Sequence, residues 1–340
     1  MGWVRGDALV RGRRLRMLLL GGLAVVVTGW SLGCTTPPPT TEPPPGGPGA
    51  PGPCGVKMTS LVNAVDGRHP LVVAEPTGEG TPWTGGSCDD DVRPGAFVAH
   101  GYVGNFIEGY QGMVEHLVSN GFVVVFPGYT VEFDPPHQYD VVNSGFVQGA
   151  EHSGRIDLDR IGIIGHSFGG GMAQWLVQQA EARGWGSEAM WVVNFAPWYS
   201  LQVGTGEIEL PEHTQYTMVS YEHDYFVDAR IAIEIYDSLS IPESQRRHVM
   251  LLSDYSGKPA LEADHLGPVS VEIVGGVGTI STDHFDRWVN YRSIDATAGC
   301  SLLGEWCDHD FSDTGARADG VPVKKAIVSH DQHDRGPVAL

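Results

Sequence analysis

The pentapeptide Gly165-His166-Ser167-Phe168-Gly169 reads Gly-x-Ser-x-Gly and stands directly behind the apolar run Arg160-Ile161-Gly162-Ile163-Ile164. A strand that turns sharply into a helix around a serine needs glycine on both sides, because a side chain at either position would clash. The turn then lifts the hydroxyl to the sheet edge. Met172-Ala173-Gln174-Trp175-Leu176-Val177 supplies the helix, with Gly170 and Gly171 letting it approach the strand closely. Ser167 so placed would attack an electrophilic carbonyl. Three fixed positions arise easily by chance in a chain with 46 glycines, and it is the strand before and the helix after that single this stretch out.

A serine hydroxyl is a weak nucleophile at neutral pH and needs a base within hydrogen-bond reach and a carboxylate to orient that base. Behind a nucleophile elbow these follow in the chain order serine, acid, histidine. Tyr221-Glu222-His223-Asp224-Tyr225-Phe226-Val227-Asp228 comes after an apolar strand ending at Tyr221. Asp224 is the expected acid, since three residues of loop let it turn back over the sheet edge. Glu222 and Asp228 are its rivals, although Asp228 also suits the N-cap of a following helix. Glu262-Ala263-Asp264-His265-Leu266-Gly267-Pro268 follows the last expected strand and makes His265 the expected base. His284 reads as an exposed or capping residue at a helix start, and His309, His330 and His333 read as solvated.

Charge developing on the substrate oxygen calls for two backbone N–H groups, one of them from the residue after the nucleophile, Phe168. The second is expected from Tyr102 in His100-Gly101-Tyr102, where Gly101 permits a tight turn and His100 is expected to buttress the loop from within. Tyr102, Phe106, Tyr129, Trp198 and Tyr225 are candidates to wall an apolar cleft.

The elements that must position these residues alternate strand and helix, which reads as an α/β fold with a mostly parallel sheet covered on both faces. Strands are expected at Pro70–Ala74, Gly95–Ala99, Phe122–Phe126, Arg160–Ile164, Ala189–Phe195, Thr217–Tyr221 and His248–Leu252. Helices are expected at Tyr110–Asn120, Asp140–His152, after the elbow, at Asp228–Leu239 and at Thr282–Tyr291. One domain over 54–315 accounts for them, followed by a polar, loosely ordered tail over 316–340.

At the amino terminus, Arg5, Arg11, Arg13, Arg14 and Arg16 precede an apolar run from Met17 to Val27, the basic and apolar regions of an export signal covering residues 1–33. Ser31-Leu32-Gly33-Cys34 resembles the bacterial lipobox and makes Cys34 a candidate for lipidation. Ser31 stands where such signals place an aliphatic residue, so cleavage by an ordinary signal peptidase is the alternative. Residues 34–53, almost wholly Pro, Gly and Thr toward their end, read as an extended spacer. In an exported protein Cys54, Cys88, Cys300 and Cys307 make two disulfides, with three connectivities open. Cys54–Cys88 and Cys300–Cys307 are favoured because each would pin one end of the domain. Their spacing is not of zinc type, and neither metal nor cofactor is expected.

Forty-one acidic residues stand against 21 basic ones; loss of residues 1–33 removes five arginines and one aspartate and moves the formal charge from −20 to −24. Such a surface makes nucleic acid a poor partner and fits solubility outside the cell. The expected partner is an ester substrate, with membrane contact only through a lipid anchor, and the expected state is a monomer.

Phe97-Val98-Ala99-His100-Gly101-Tyr102, Leu117-Val118-Ser119-Asn120-Gly121-Phe122-Val123-Val124-Val125 and Gly165-His166-Ser167-Phe168-Gly169-Gly170 together resemble the α/β-hydrolase superfamily. Within it they are similar to the branch of polyester hydrolases of the bacterial cutinase type, dienelactone hydrolases and chlorophyllases. The likeness spans about residues 90 to 270. It implies Tyr102 and Phe168 as oxyanion donors, Asp224 and His265 as acid and base, and Trp198 in Ala196-Pro197-Trp198 as a residue that stacks on substrate. His100 in place of a more usual proline and a longer insertion over Gly204–His213 depart from the branch. The implied activity is hydrolysis of carboxylic esters through an acyl-enzyme. A catalytically inactive surface binding module, or an acyl transferase or peptidase with the same residues, is the alternative.

Overall fold

Val123-Val124-Val125-Phe126 is apolar throughout, as a strand must be when both its faces are covered. In the computed structural model it becomes a fully buried strand, third from one edge of a nine-stranded mixed sheet. The structure describes residues 41–330 apart from 105, 205, 270, 275, 276 and 281, together with the backbone alone of 271–274 and 277–280. The expected export signal, Cys34 and His333 lie outside the described residues.

The strands are β1 (Gly55–Val62), β2 (Pro70–Thr77), β3 (Arg93–Ala99), β4 (Val123–Pro127), β5 (Ile156–His166), β6 (Ala189–Phe195), β7 (Gln215–Tyr221) and β8 (Arg246–Leu251). They continue with β9 (Val271–Val274), β10 (Val277–Ile280) and β11 (Ile327–Ser329). The sheet order is β1-β2-β4-β3-β5-β6-β7-β8-β11, and β9 pairs with β10 in a separate antiparallel ribbon. From β4 to β8 all neighbours are parallel. Antiparallel pairing is confined to β1 and β2 at one edge and β11 at the other.

Helices cover both faces. α1 (Gln111–Ser119) and α5 (Arg292–Leu303) bury Met113, Leu117, Ile294 and Ala298 in one core. α2 (Pro135–Ser153), α3 (Phe168–Glu181) and α4 (Ala229–Ser238) bury Val142, Phe146, Leu176 and Ile235 in the other. Asp228 caps α4 by accepting the Arg230 N–H, which assigns it the structural role its position before the helix predicts. The loop over 204–213 packs Ile208 and Leu210 beside the end of α4, with Ile208 bridged to Leu239.

Three expectations are corrected. The closing helix does not end at Tyr291. Asp283 and Asp286 exchange side chain and amide at its start (Asp286 N–H to Asp283 Oδ1 and Asp283 N–H to Asp286 Oδ2, each 2.9 Å). A π-type turn over Asp286–Tyr291 then feeds α5, which runs to Leu303. Two of its buried polar side chains find partners on other elements: Thr297 bonds Thr217 and Asp295 bonds His116.

The spacer expected over 34–53 is tied to the domain from residue 41 onward, through Thr41, Gly49 and Gly52, although most of its described residues stay exposed. Gly49, with φ of 87°, donates its N–H to the buried Asp295 carboxylate at 2.8 Å, and a Cβ there would lie 2.2 Å from the Arg287 carbonyl oxygen. In this stretch, expected to be an extended spacer, glycine serves close backbone approach. The tail over 316–330 is likewise ordered. Arg317 is buried, pairs with Asp254 at 3.4 Å and donates to the Pro259 carbonyl, and β11 adds to β8.

Both favoured disulfides are present, Cys54–Cys88 and Cys300–Cys307, with Cα separations of 5.4 and 4.7 Å. Among the described residues no helix is long and apolar enough to cross a membrane.

Candidate active site

β5 ends at His166 and α3 begins at Phe168, so Ser167 alone makes the turn, at φ 54° and ψ −119°. This is a strained conformation for a residue with a Cβ. The surroundings hold it: the Ser167 N–H donates to the Phe195 carbonyl at 2.9 Å, and the Ser167 carbonyl accepts from Trp198 at 2.7 Å and Gly171 at 3.1 Å. Gly169 is required by close approach, since a Cβ there would lie 2.0 Å from the Ala99 carbonyl oxygen.

Asp224 and His265 lie on the loops after β7 and β8, and backbone bonds join the two loops. The His223 N–H donates to the Ala263 carbonyl at 2.8 Å, and the Glu222 N–H donates to the Leu251 carbonyl at 2.9 Å. Asp224 Oδ1 accepts the Phe226 and Val227 amides at 2.9 and 2.8 Å, which fixes the carboxylate. Its Oδ2 lies 2.7 Å from His265 Nδ1, and His265 Nε2 lies 2.9 Å from Ser167 Oγ. A carboxylate only accepts, so Nδ1 carries the proton and Nε2 is left to accept from the serine hydroxyl. The His265 and Asp224 side chains are only 7% and 5% exposed. Exclusion of water keeps this row from being broken by solvent competition.

The other sequence candidates divide. Phe168 is the first residue of α3, where an N–H has no partner inside the helix, and Gly101 packs so tightly that a Cβ would stand 3.2 Å from Ser167 Cβ. Phe168 and the Gly101-Tyr102 stretch therefore border the serine and the space above it. Glu222 is engaged elsewhere, accepting the Ser253 N–H at 2.8 Å. His100 is fully buried with its ring stacked 4.1 Å from Tyr129, and burial pulls it down to about 4. It is the buttress the sequence predicts. His284 is corrected: it is buried, bonding the Thr314 carbonyl through Nε2 at 2.6 Å, because the chain over 313–315 lies across the helix start. His309 is half-buried, and burial lowers it to about 4, whereas His330 is exposed as expected.

Ser167 and His265 open onto a cavity of about 640 Å³ walled by Tyr102, Val103, Phe106, Phe133, Trp198, Phe226, Leu266 and Val269. No Asp, Glu, Lys or Arg lines it among the described residues. Phe133, Phe168 and Trp198 form one wall, with ring centroids 5.6 to 6.0 Å apart. Of the aromatic residues proposed from sequence, Tyr102, Phe106 and Trp198 face this space. Tyr129 instead packs beneath it on His100, and Tyr225 stands beside His223, 81% exposed. Phe133 and Phe226 carry no signal in the sequence, because each lies in a loop whose path the core does not dictate. No group of side chains suited to hold a metal ion occurs among the described residues.

The arrangement sets an imidazole within hydrogen-bond reach of a serine hydroxyl in a neutral, aromatic cleft. No protein-family model matches this chain, and no curated protein is found to be similar to it.

Proposed function

We propose that the chain is a serine hydrolase of the α/β-hydrolase fold that cleaves uncharged carboxylic esters through an acyl-enzyme. The observation that carries this reading is the continuous row Asp224 Oδ2, His265 Nδ1, His265 Nε2, Ser167 Oγ, with contacts of 2.7 and 2.9 Å, opening on an apolar cavity. A serine at a strand-to-helix turn, followed in the chain by the acid and then the histidine, supports the fold assignment.

Ser167 Oγ forms a bond to the ester carbonyl carbon while its proton passes to His265 Nε2 and the C=O electron pair moves onto oxygen. The Phe168 and Tyr102 amides stabilise that oxyanion, and Asp224 stabilises the imidazolium. Collapse of the intermediate breaks the C–O bond to the alcohol, which leaves with the proton from His265. Water then enters, gives a proton to His265 and its oxygen to the acyl carbon, and Ser167 departs with its proton restored.

The two disulfides support an exported protein, since such bonds persist in oxidising compartments. Trp198 on the cavity wall supports the resemblance to the polyester-cleaving branch. Labelling with a fluorophosphonate, followed by peptide mapping, tests the reading: modification at Ser167 that is lost in His265→Ala is expected. Folded protein that stays unlabelled and inactive on p-nitrophenyl esters from acetyl to palmitoyl, and on a polyester film, would favour a binding module instead.

A further inference from the structure

The residue before the nucleophile has its own set of bonds. His166 is buried, and its Nε2 lies 2.9 Å from the backbone carbonyl oxygen of His265. Its Nδ1 lies 2.6 Å from the Tyr110 hydroxyl, and that hydroxyl accepts the Gly101 N–H at 2.9 Å. The directions follow from the donor inventory. A carbonyl oxygen only accepts, so His166 Nε2 carries the proton. Nδ1 of the neutral ring must then accept, and the Tyr110 O–H donates to it, leaving the Tyr110 oxygen to take the Gly101 amide. Burial, with repulsion from His265, pulls His166 down to about 3, and burial raises Tyr110 above the ordinary phenol range. Both groups thus hold the protons this chain of bonds requires at neutral pH.

The two ends of the chain of bonds lie on two of the irregular loops that build the site. Gly101 immediately precedes Tyr102, whose amide is assigned above to the oxyanion, and the His265 carbonyl belongs to the general base itself. His166 is the last residue of β5, in register with Phe195 of the adjoining strand. One imidazole on the rigid sheet therefore references both loops to the nucleophile next to it. On the reading of the site given above, we propose that His166 and Tyr110 are positioning residues that hold the general base and the oxyanion loop in register with Ser167. Both border the cavity, but their polar atoms are committed to one another and to backbone, so neither enters the bond changes of the reaction. They act through the backbone of Gly101 and His265, where a misplacement of about 1 Å can cost on the order of a hundredfold in rate.

The test combines kinetics with amide hydrogen exchange on the full chain. Tyr110→Phe keeps the ring and removes the hydroxyl. His166→Ala removes both bonds, and His166→Gln restores a side-chain N–H able to reach the His265 carbonyl. Expected are a fall in kcat of about ten- to a hundredfold with KM held within about twofold for Tyr110→Phe and His166→Ala, and partial rescue in His166→Gln. Exchange should quicken at residues 101–102 in Tyr110→Phe, and at both 101–102 and 265–266 in His166→Ala. Rates within about twofold of the parent together with unchanged exchange would overturn the proposal. So would a lowered melting temperature with kcat and exchange intact, which marks packing alone. A parent chain that neither hydrolyses esters nor labels at Ser167 would sink the hydrolase reading separately. The exchange measurements in Tyr110→Phe would then still decide whether the relay orders the loops.

Discussion

Asp224 meets His265 across a gap of 41 residues in the chain, Oδ2 to Nδ1 at 2.7 Å, while its other oxygen is committed to the amides of Phe226 and Val227. The carboxylate is thus fixed at one end by its own loop and at the other by the imidazole. Asp224→Asn should keep the backbone contacts but present an N–H to Nδ1 or lose charge opposite the developing imidazolium. A fall in kcat of about 10⁴ is expected on p-nitrophenyl acetate, with little change in KM. Glu222→Gln and Asp228→Asn should stay within a few-fold of the parent, since neither carboxylate contacts His265. Equal losses in all three would remove Asp224 from its assigned role.

Phe133, 59% exposed, stands over Trp198 and Phe168 at the cavity mouth. An acyl chain or ring lying on this wall would gain contact that an acetyl group is too short to reach. Phe133→Ala and Trp198→Ala should each lower kcat/KM for hexanoyl or benzoyl esters by about tenfold, corresponding to the 1–2 kcal/mol of one lost aromatic contact. Acetyl esters should change by less than about twofold. A uniform loss across chain lengths would place the acyl group elsewhere.

What the sequence made legible is unevenly distributed for physical reasons. The elbow was readable because a close backbone crossing admits only glycine at Gly169, and the Asp224 and His265 loops because they follow apolar strands whose ends are sharp. β1 was missed because it is an edge strand exposed along most of its length and so lacks the signature of burial. The closing helix reads as ending early, at Tyr291, because Asp295 and Thr297 interrupt an apolar pattern, yet both are buried against His116 and Thr217. Composition cannot reveal such pairings, since both members of each come from distant segments. The same holds for His166: its place beside Ser167 was evident, but its bond to the His265 carbonyl depends on the path of a loop 99 residues away.

The two disulfides should contribute unequally. Cys54–Cys88 closes a separation of 34 residues and Cys300–Cys307 one of 7. Loop-closure entropy then gives about 4 kcal/mol for the first and about 2 kcal/mol for the second. Cys54→Ser/Cys88→Ser should therefore lower the urea midpoint more than Cys300→Ser/Cys307→Ser, with the slope of the transition compared to detect a changed unfolded state. The reverse ranking would show that contacts made by the short loop, where Trp306 packs on Gly299 and Trp83, outweigh the chain entropy.

Stability should fall as the medium is acidified from pH 7 to pH 5. His100, His166 and His248 are buried, and burial lowers them to about 4, about 3 and about 4 respectively. In the unfolded chain each takes up a proton near its ordinary value of about 6.5. Between that pH and the lowered value the unfolded state binds more protons, so unfolding is favoured as pH drops. By pH 5 each histidine should cost on the order of 2 kcal/mol relative to pH 7. Asp286 works in the opposite sense. Burial, aided by the neighbouring charge of Asp283, raises it well above the usual carboxylate range, so its contribution is full below the unfolded value of about 4 and is lost as pH rises. Burial lowers His284 and His309 as well and raises Asp264 as it does Asp286, so five histidines stand against two carboxyls and give the sign. The melting temperature should be lower at pH 5 than at pH 7, and His248→Gln, which can keep a bond to Ser220, should flatten the difference. An equal or higher melting temperature at pH 5 would mean that the Asp286 contribution dominates, and Asp286→Asn should then abolish the pH dependence instead.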